Sequence, residues 1–195
     1  GGGVVRKGGK VVQANIGTTE KEPRPVELIV TGPAGHGSVP NQNSAVLGVA
    51  AAVGKIGAWK PPLRLNETTA SYFKKLTTMV EPAVAQQYRA LLNPDPKVHG
   101  PAEDWLLVNE PGHWSMTHTS LVPTIMTTGF RYNVIPSEAK ATLDVRLHPD
   151  EDQDKFLDQI RKVINDPKVE VRWARDRYRP AGGSRLNTEA FTVLE

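Results

Sequence analysis

Apolar positions change their spacing several times along the chain, and each change marks a predicted element. Val4-Val5 and Val11-Val12 flank the turn-forming Lys7-Gly8-Gly9-Lys10, which predicts a hairpin over residues 3–16. A polar stretch from Gly17 to Arg24 follows. Val26-Glu27-Leu28-Ile29-Val30 then forms a mostly apolar strand that ends in the turn signal Thr31-Gly32-Pro33. Beyond the glycine-flanked loop 34–40, Ala45, Val49, Ala52, Val53 and Ile56 recur at helical spacing and predict a helix over about 44–59. Pro61-Pro62 stops it.

Residues 63–118 are less regular. Helices are expected over 69–76 and 82–92, whereas the stretch holding His99, Trp105, His113, Trp114 and His118 has no clear period, so the segment reads as an inserted helical excursion. A strand is expected over 124–135. After the Pro136-Ser137-Glu138 turn comes a cleanly alternating strand, with Ala139, Ala141, Leu143, Val145 and Leu147 on one face and Lys140, Thr142, Asp144, Arg146 and His148 on the other. Acidic residues between Asp150 and Asp154 then start a helix whose apolar stripe is Phe156, Leu157, Ile160, Val163 and Ile164. A last strand is expected over 169–178 and a linker over 180–184. Without the excursion the order is strand, helix, strand, strand, helix, strand. That order predicts an α+β fold of the ferredoxin-like split β-α-β kind, a four-stranded antiparallel sheet with two helices on one face.

Composition narrows the class further. At 195 residues, 38% hydrophobic and 23% charged, the chain is long enough for one well-cored domain with attached pieces. No apolar run reaches the roughly 20 residues that cross a bilayer, so no membrane partner is expected. The absence of cysteine removes disulfides, thiolate metal sites and a Cys nucleophile, and fits any compartment. Net charge is only +3, too little to indicate nucleic acid. Both ends read as cut, since the first residue is Gly1 and the chain stops at Glu195 inside an apolar-patterned run.

Candidate chemistry is sparse. The five histidines, at 36, 99, 113, 118 and 148, form no His-x-x-x-His or His-x-Asp pattern, so no metal site is expected on this chain. Ser38 lies in no nucleophile elbow, and the opening glycines precede a strand rather than a helix, which excludes a phosphate cradle. His36, between two glycines ahead of a helix, can project freely. It reads as either a surface histidine or a functional one. Arg146 on a polar strand face is either solvated or an anion ligand, and Asn133 either ends a strand or contacts a ligand.

Three motifs in order carry a family resemblance. Gly35-His36-Gly37-Ser38 before a small-residue helix, then Gly129-Phe130-Arg131-Tyr132-Asn133-Val134-Ile135-Pro136, then Asp144-Val145-Arg146-Leu147-His148-Pro149 resemble the lid and dimerisation domain of the two-zinc aminoacylase and carboxypeptidase family. That family, M20, includes acetylornithine deacetylase, succinyl-diaminopimelate desuccinylase, carnosinase and glutamate carboxypeptidase. Pro61 to Leu65, Tyr72-Phe73 and Ser120 to Thr124 are similar to its carboxypeptidase S branch. Thr128-Gly129 and Arg131 stand where the family has a glycine pair and a lysine.

The resemblance implies a lid over 24–182 with an insertion at about 61–118. Residues 1–23 and 183–195 would be crossings to a catalytic domain that holds two zinc ions and hydrolyses the amide of N-acyl amino acids or small peptides. It implies a homodimer in which His36 stabilises the oxyanion at the partner subunit's site, while Asn133 and Arg146 bind the substrate's amide and carboxylate. The fragment alone is expected to be inactive. Two other readings are a ferredoxin-like RNA-binding module and a dimerisation scaffold of an inactive parent. Against the first, the full aromatic RNA-binding signature is absent and Asp176 interrupts the basic run Arg172, Arg175, Arg177 and Arg179.

Overall fold

The computed structural model describes residues 2–175 and 182–194. In chain order its elements are β1 (Gly2–Lys7), β2 (Lys10–Ile16), β3 (Glu22–Pro23), β4 (Val26–Thr31), β5 (Gly35–His36), α1 (Ala45–Ala58), α2 (Glu67–Leu76), α3 (Pro82–Leu91) and α4 (Pro96–Asn109). They continue with α5 (Pro111–Thr117), β6 (Ser120–Thr128), β7 (Val134–Ile135), β8 (Glu138–Leu147), α6 (Gln153–Ile164), β9 (Val169–Trp173) and α7 (Glu189–Leu194). The fold is thus mixed α/β, with antiparallel sheets. Two compact units share the chain: residues 2–21, 63–118 and 182–194 in the first, and 22–62 with 119–175 in the second.

The second unit is built on one antiparallel sheet. β4 lies between β9 and β8, β6 lies on the far side of β8, and the short β3 continues the course of β4 alongside Arg146 and Leu147. The alternation of β8 fixes its register, because sliding it by one residue against Val26↔Leu143 would turn every apolar side chain to water. Leu28, Val30, Ala141, Leu143 and Val145 are buried beneath α1 and α6, which add Val49, Ile56, Phe156 and Ile160. Each large side chain so buried stabilises the unit by about 1.5–3 kcal/mol. Trp59 stacks on Phe156 at 5.7 Å, and Lys55 Nζ donates to Ile164 O, tying the two helices together. At the start of α6 the Asp152 carboxylate accepts from Lys155 N, while Asn165, in the left-handed region at φ 45°, ends the helix.

The first unit has its own core of Phe73, Leu76, Tyr88, Leu91, Ala102 and Leu106. A capping box opens α2, where Asn66 and Thr69 each bond the other's backbone N–H. Gly8 and Gly9, at φ 55° and 78°, close the β1–β2 hairpin.

Three expectations need correction. His148, expected on the polar face of the alternating strand, follows the end of β8 at Leu147 and is buried. The strand expected over 124–135 is two pieces, because Gly129 turns into the left-handed region at φ 61° and Val134 N–H closes a tight turn on Arg131 O at 3.3 Å. Its first piece, β6, starts at Ser120 and carries a bulge between Pro123 and Ile125. The aperiodic stretch around His99 and His118 also forms two helices, α4 and α5. Half-buried polar side chains, Glu103 bonded to His118 and Glu110 bonded to His113, stand in and beside these helices, which blurs the hydrophobic period. The last strand ends at Trp173, and residues 176–181, with Arg177, Tyr178 and Arg179 among them, lie outside the described chain.

Candidate functional site

His36 sits on a two-residue ribbon in which Gly35 pairs with Ile135 and His36 with Val134. The next glycine anchors the loop, Gly37 N–H donating to Asn133 O at 2.9 Å. His36 and Asn133 therefore share one small, exposed structure although 97 positions separate them (133 − 36). The His36 ring is oriented by its neighbours. Ser38 N–H donates to Nδ1 at 3.2 Å and Ser38 Oγ lies 2.8 Å from the same nitrogen. A nitrogen that accepts a backbone N–H carries no proton, so the neutral ring holds its hydrogen on Nε2. The side chain is exposed, and its outer edge is a hydrogen-bond donor.

Arg146 stands elsewhere. It lies near the C-terminal end of β8, opposite Pro23 and Ser120, eight residues beyond Glu138, which begins the strand next to the His36 ribbon. Eight strand residues span about 26 Å. Asp144 holds the guanidinium from one side, with Nε 3.0 Å from Oδ1 and Nη2 3.2 Å from Oδ2. Such side-on contact leaves the outer fork of the guanidinium for a second carboxylate. Nearby on the same face Glu27 takes Arg172 at 2.9 Å and Lys140 at 4.0 Å, and Glu170 also meets Arg172. Arg172 is thus neutralised rather than presented to an anion, and Arg177 and Arg179 lie outside the described residues.

The first unit holds two polar clusters that the sequence reading did not single out. Glu103 bridges His99 Nδ1 at 2.5 Å and His118 Nε2 at 2.9 Å, and His118 Nδ1 lies 2.9 Å from Trp114 O beneath the stacked Trp114 ring. Burial pushes the Glu103 carboxyl up, but hydrogen bonds and charge from His118 and His99 outweigh it and hold the group below the usual range. In the second cluster Glu110 takes His113 Nδ1 at 2.6 Å and the Tyr88 hydroxyl at 2.9 Å, while His113 Nε2 meets the Tyr72 hydroxyl at 3.1 Å. Burial first, then the Glu110 carboxylate, raises the Tyr88 phenol. The helical spacings His99–Glu103 and Glu110–His113 were the signal that could have revealed both pairs. Among the described residues no three His, Asp or Glu are set to hold a metal ion. The imidazole–carboxylate groups are bonded to one another, so this donor set does not fit zinc.

Residues 24–172 match the model of the M20 peptidase dimerisation domain. The chain belongs to this family. A carboxypeptidase S-like protein from Dictyostelium discoideum is 30% identical over 182 residues, covering 93% of this chain and 34% of the relative. An N-fatty-acyl-amino acid synthase/hydrolase from Xenopus tropicalis is 28% identical over 159 residues, covering 81% and 30%. The chain thus spans about a third of the length of these curated M20 relatives. Among solved structures, an M20 metallo-carboxypeptidase from Sulfolobus solfataricus superposes with a TM-score of 0.53 at 17% identity, covering 91% of this chain and 48% of that one. A Saccharomyces cerevisiae di-peptidase gives 0.51 at 17%, covering 90% and 39%. At this identity the likeness is one of fold.

Proposed function

We propose that this chain is the lid and dimerisation domain of a larger two-zinc amidohydrolase that cleaves the amide bond of N-acyl amino acids or small peptides. The sheet order β9-β4-β8-β6, with α1 and α6 over one face, supports the ferredoxin-like split arrangement. Residues 24–182 form the lid with its insertion at about 61–118, and residues 1–23 and 183–195 lead to the catalytic domain, which holds the metal ions. His36 donates Nε2–H to the oxyanion that develops on the scissile carbonyl, Asn133 binds the amide, and Arg146 binds the free carboxylate.

The observation that carries this reading is the His36 ring itself: exposed, fixed through Nδ1, and left with an outward-facing donor. The separation of the residues adds a second point. His36 with Asn133 and Arg146 stand at opposite ends of β8, too far apart for one small substrate within one copy. Two copies resolve this if His36 and Asn133 serve the partner subunit's site while Arg146 serves its own. β6 supports such a pairing, because among the described residues its strand partner is β8 alone and it exposes Val122, Ile125 and Met126.

Mixed dimers test the arrangement. In the full-length enzyme His36→Ala and Arg146→Ala each lower turnover, the former by about 10²–10³ with bound metal unchanged. Coexpressed in equal amounts, they regain about one quarter of wild-type activity, because half the dimers are mixed and each has one intact site. No recovery means that both residues serve the same subunit's site.

A further inference from the structure

We propose that Phe130 and Tyr132 are specificity-determining residues that hold the apolar acyl chain of the substrate at the partner subunit's site. The inference rests on the placement of His36 proposed above.

The two rings are 80% and 102% exposed. Single exposed apolar side chains are ordinary on protein surfaces. Here a short loop presents two of them, and that loop is held in place. Gly129 turns it at φ 61°, Thr128 Oγ1 bonds Glu138 O at 3.2 Å, and Val134 N–H bonds Arg131 O at 3.3 Å. Asn133 O then accepts Gly37 N–H at 2.9 Å, joining the loop to the residue after His36. The Arg131 guanidinium lies 5.9 Å from the Phe130 ring centroid, leaning on the ring rather than reaching away from it. Across the ribbon, Val39 is exposed as well, its N–H bonded to His36 O at 3.0 Å. Both chain segments that meet at the His36 ribbon thus expose apolar side chains.

The chemistry of the substrate says what this surface meets. An N-acyl amino acid has one charged end, the carboxylate assigned to Arg146, and on the other side of its carbonyl one uncharged end, the acyl chain. With its carbonyl within reach of His36 Nε2, the substrate can lay that chain toward the loop that carries Phe130 and Tyr132. The loop backbone that carries the rings is fixed before the substrate arrives, so it loses little freedom on binding.

The test uses the full-length enzyme with N-acetyl, N-octanoyl and N-dodecanoyl forms of one amino acid. Each methylene withdrawn from water is worth about a fourfold change. If the rings cover two methylenes, the Phe130→Ser/Tyr132→Ser double variant lowers the dodecanoyl-to-acetyl ratio of kcat/KM by about 15-fold. Both side chains are exposed, so the variant is expected to fold. An unchanged ratio overturns the inference, and so does conversion of the variant to a monomer, which would assign the rings to an interface between copies. His36→Ala, run in parallel, separates the two levels: unchanged turnover there defeats the placement of His36, whereas a large loss with an unchanged ratio defeats only the role of the rings.

Discussion

Three glycines in α1 give a controlled measurement of how closely that helix lies on the sheet. Replacing a helical glycine by alanine raises intrinsic helix stability by about 1 kcal/mol. At Gly54 and Gly57 nothing lies within 4 Å of the added Cβ, so the full gain is expected. At Gly48 the new Cβ meets Val30 Cγ1 at 2.9 Å and Cγ2 at 3.4 Å. Carbon atoms in contact settle near 3.5–4.0 Å, and Val30 is buried in the sheet and stiff at χ1, so it gives way only at a cost. Overpacking of this kind costs about 1–3 kcal/mol. Gly48→Ala is therefore neutral to destabilising by about 2 kcal/mol, and it falls about 1–3 kcal/mol below Gly54→Ala. Urea unfolding of the purified chain, followed by far-UV circular dichroism and tryptophan fluorescence, measures the difference. In melting temperature each kcal/mol is about 2–4 °C for a chain of this size. If Gly48→Ala stabilises as much as Gly54→Ala, the close approach of α1 to β4 is not what the glycine serves.

Two further outcomes are expected. The depressed Glu103 carboxyl contributes stability that is fully present above the unfolded-state value of about 4.3 and is lost as pH falls through its lower folded value. Glu103→Gln should thus cost about 1–3 kcal/mol at pH 7 and less at the acid end, and an equal loss at both ends would contradict the bridge. Ile125→Lys/Met126→Lys, at exposed edge positions of β6, should raise the dimer dissociation constant about tenfold or more in analytical ultracentrifugation. An unchanged constant places the self-association elsewhere.

Much of the second unit was legible from the chain because burial there follows simple periods. The strict alternation from Ala139 to Leu147 matches the buried positions residue by residue, and of the stripe Phe156, Leu157, Ile160, Val163 and Ile164 all are buried except Val163, which is half-buried at its edge. The excursion was harder to read, since His118 and the Glu103 and Glu110 pairs occupy places where a hydrophobic scan looks for Leu or Val. His36 could be singled out as a glycine-flanked loop residue. Its bond to Ser38 and its link through Gly37 to Asn133 could not, because both depend on a ribbon formed by distant segments. For Arg146, the alternation correctly gave the exposed face. The i, i+2 spacing from Asp144 placed the carboxylate on that same face, but only the side-chain geometry turned nearness into a clamp.

The kink at Pro123 limits what the molecule can assemble into. Proline has no N–H to offer a neighbouring chain, and the bulge that follows breaks the regular row of donors, so only the stretch from Ile125 to Thr128 continues as uninterrupted ladder. Two copies meeting there about a twofold axis would use up that row on both sides, and the opposite border of the sheet, the five-residue β9, is flanked by the Glu170 and Arg172 charges. In that arrangement growth into a fibre would be starved of a third participant, and association along β6 would close at two.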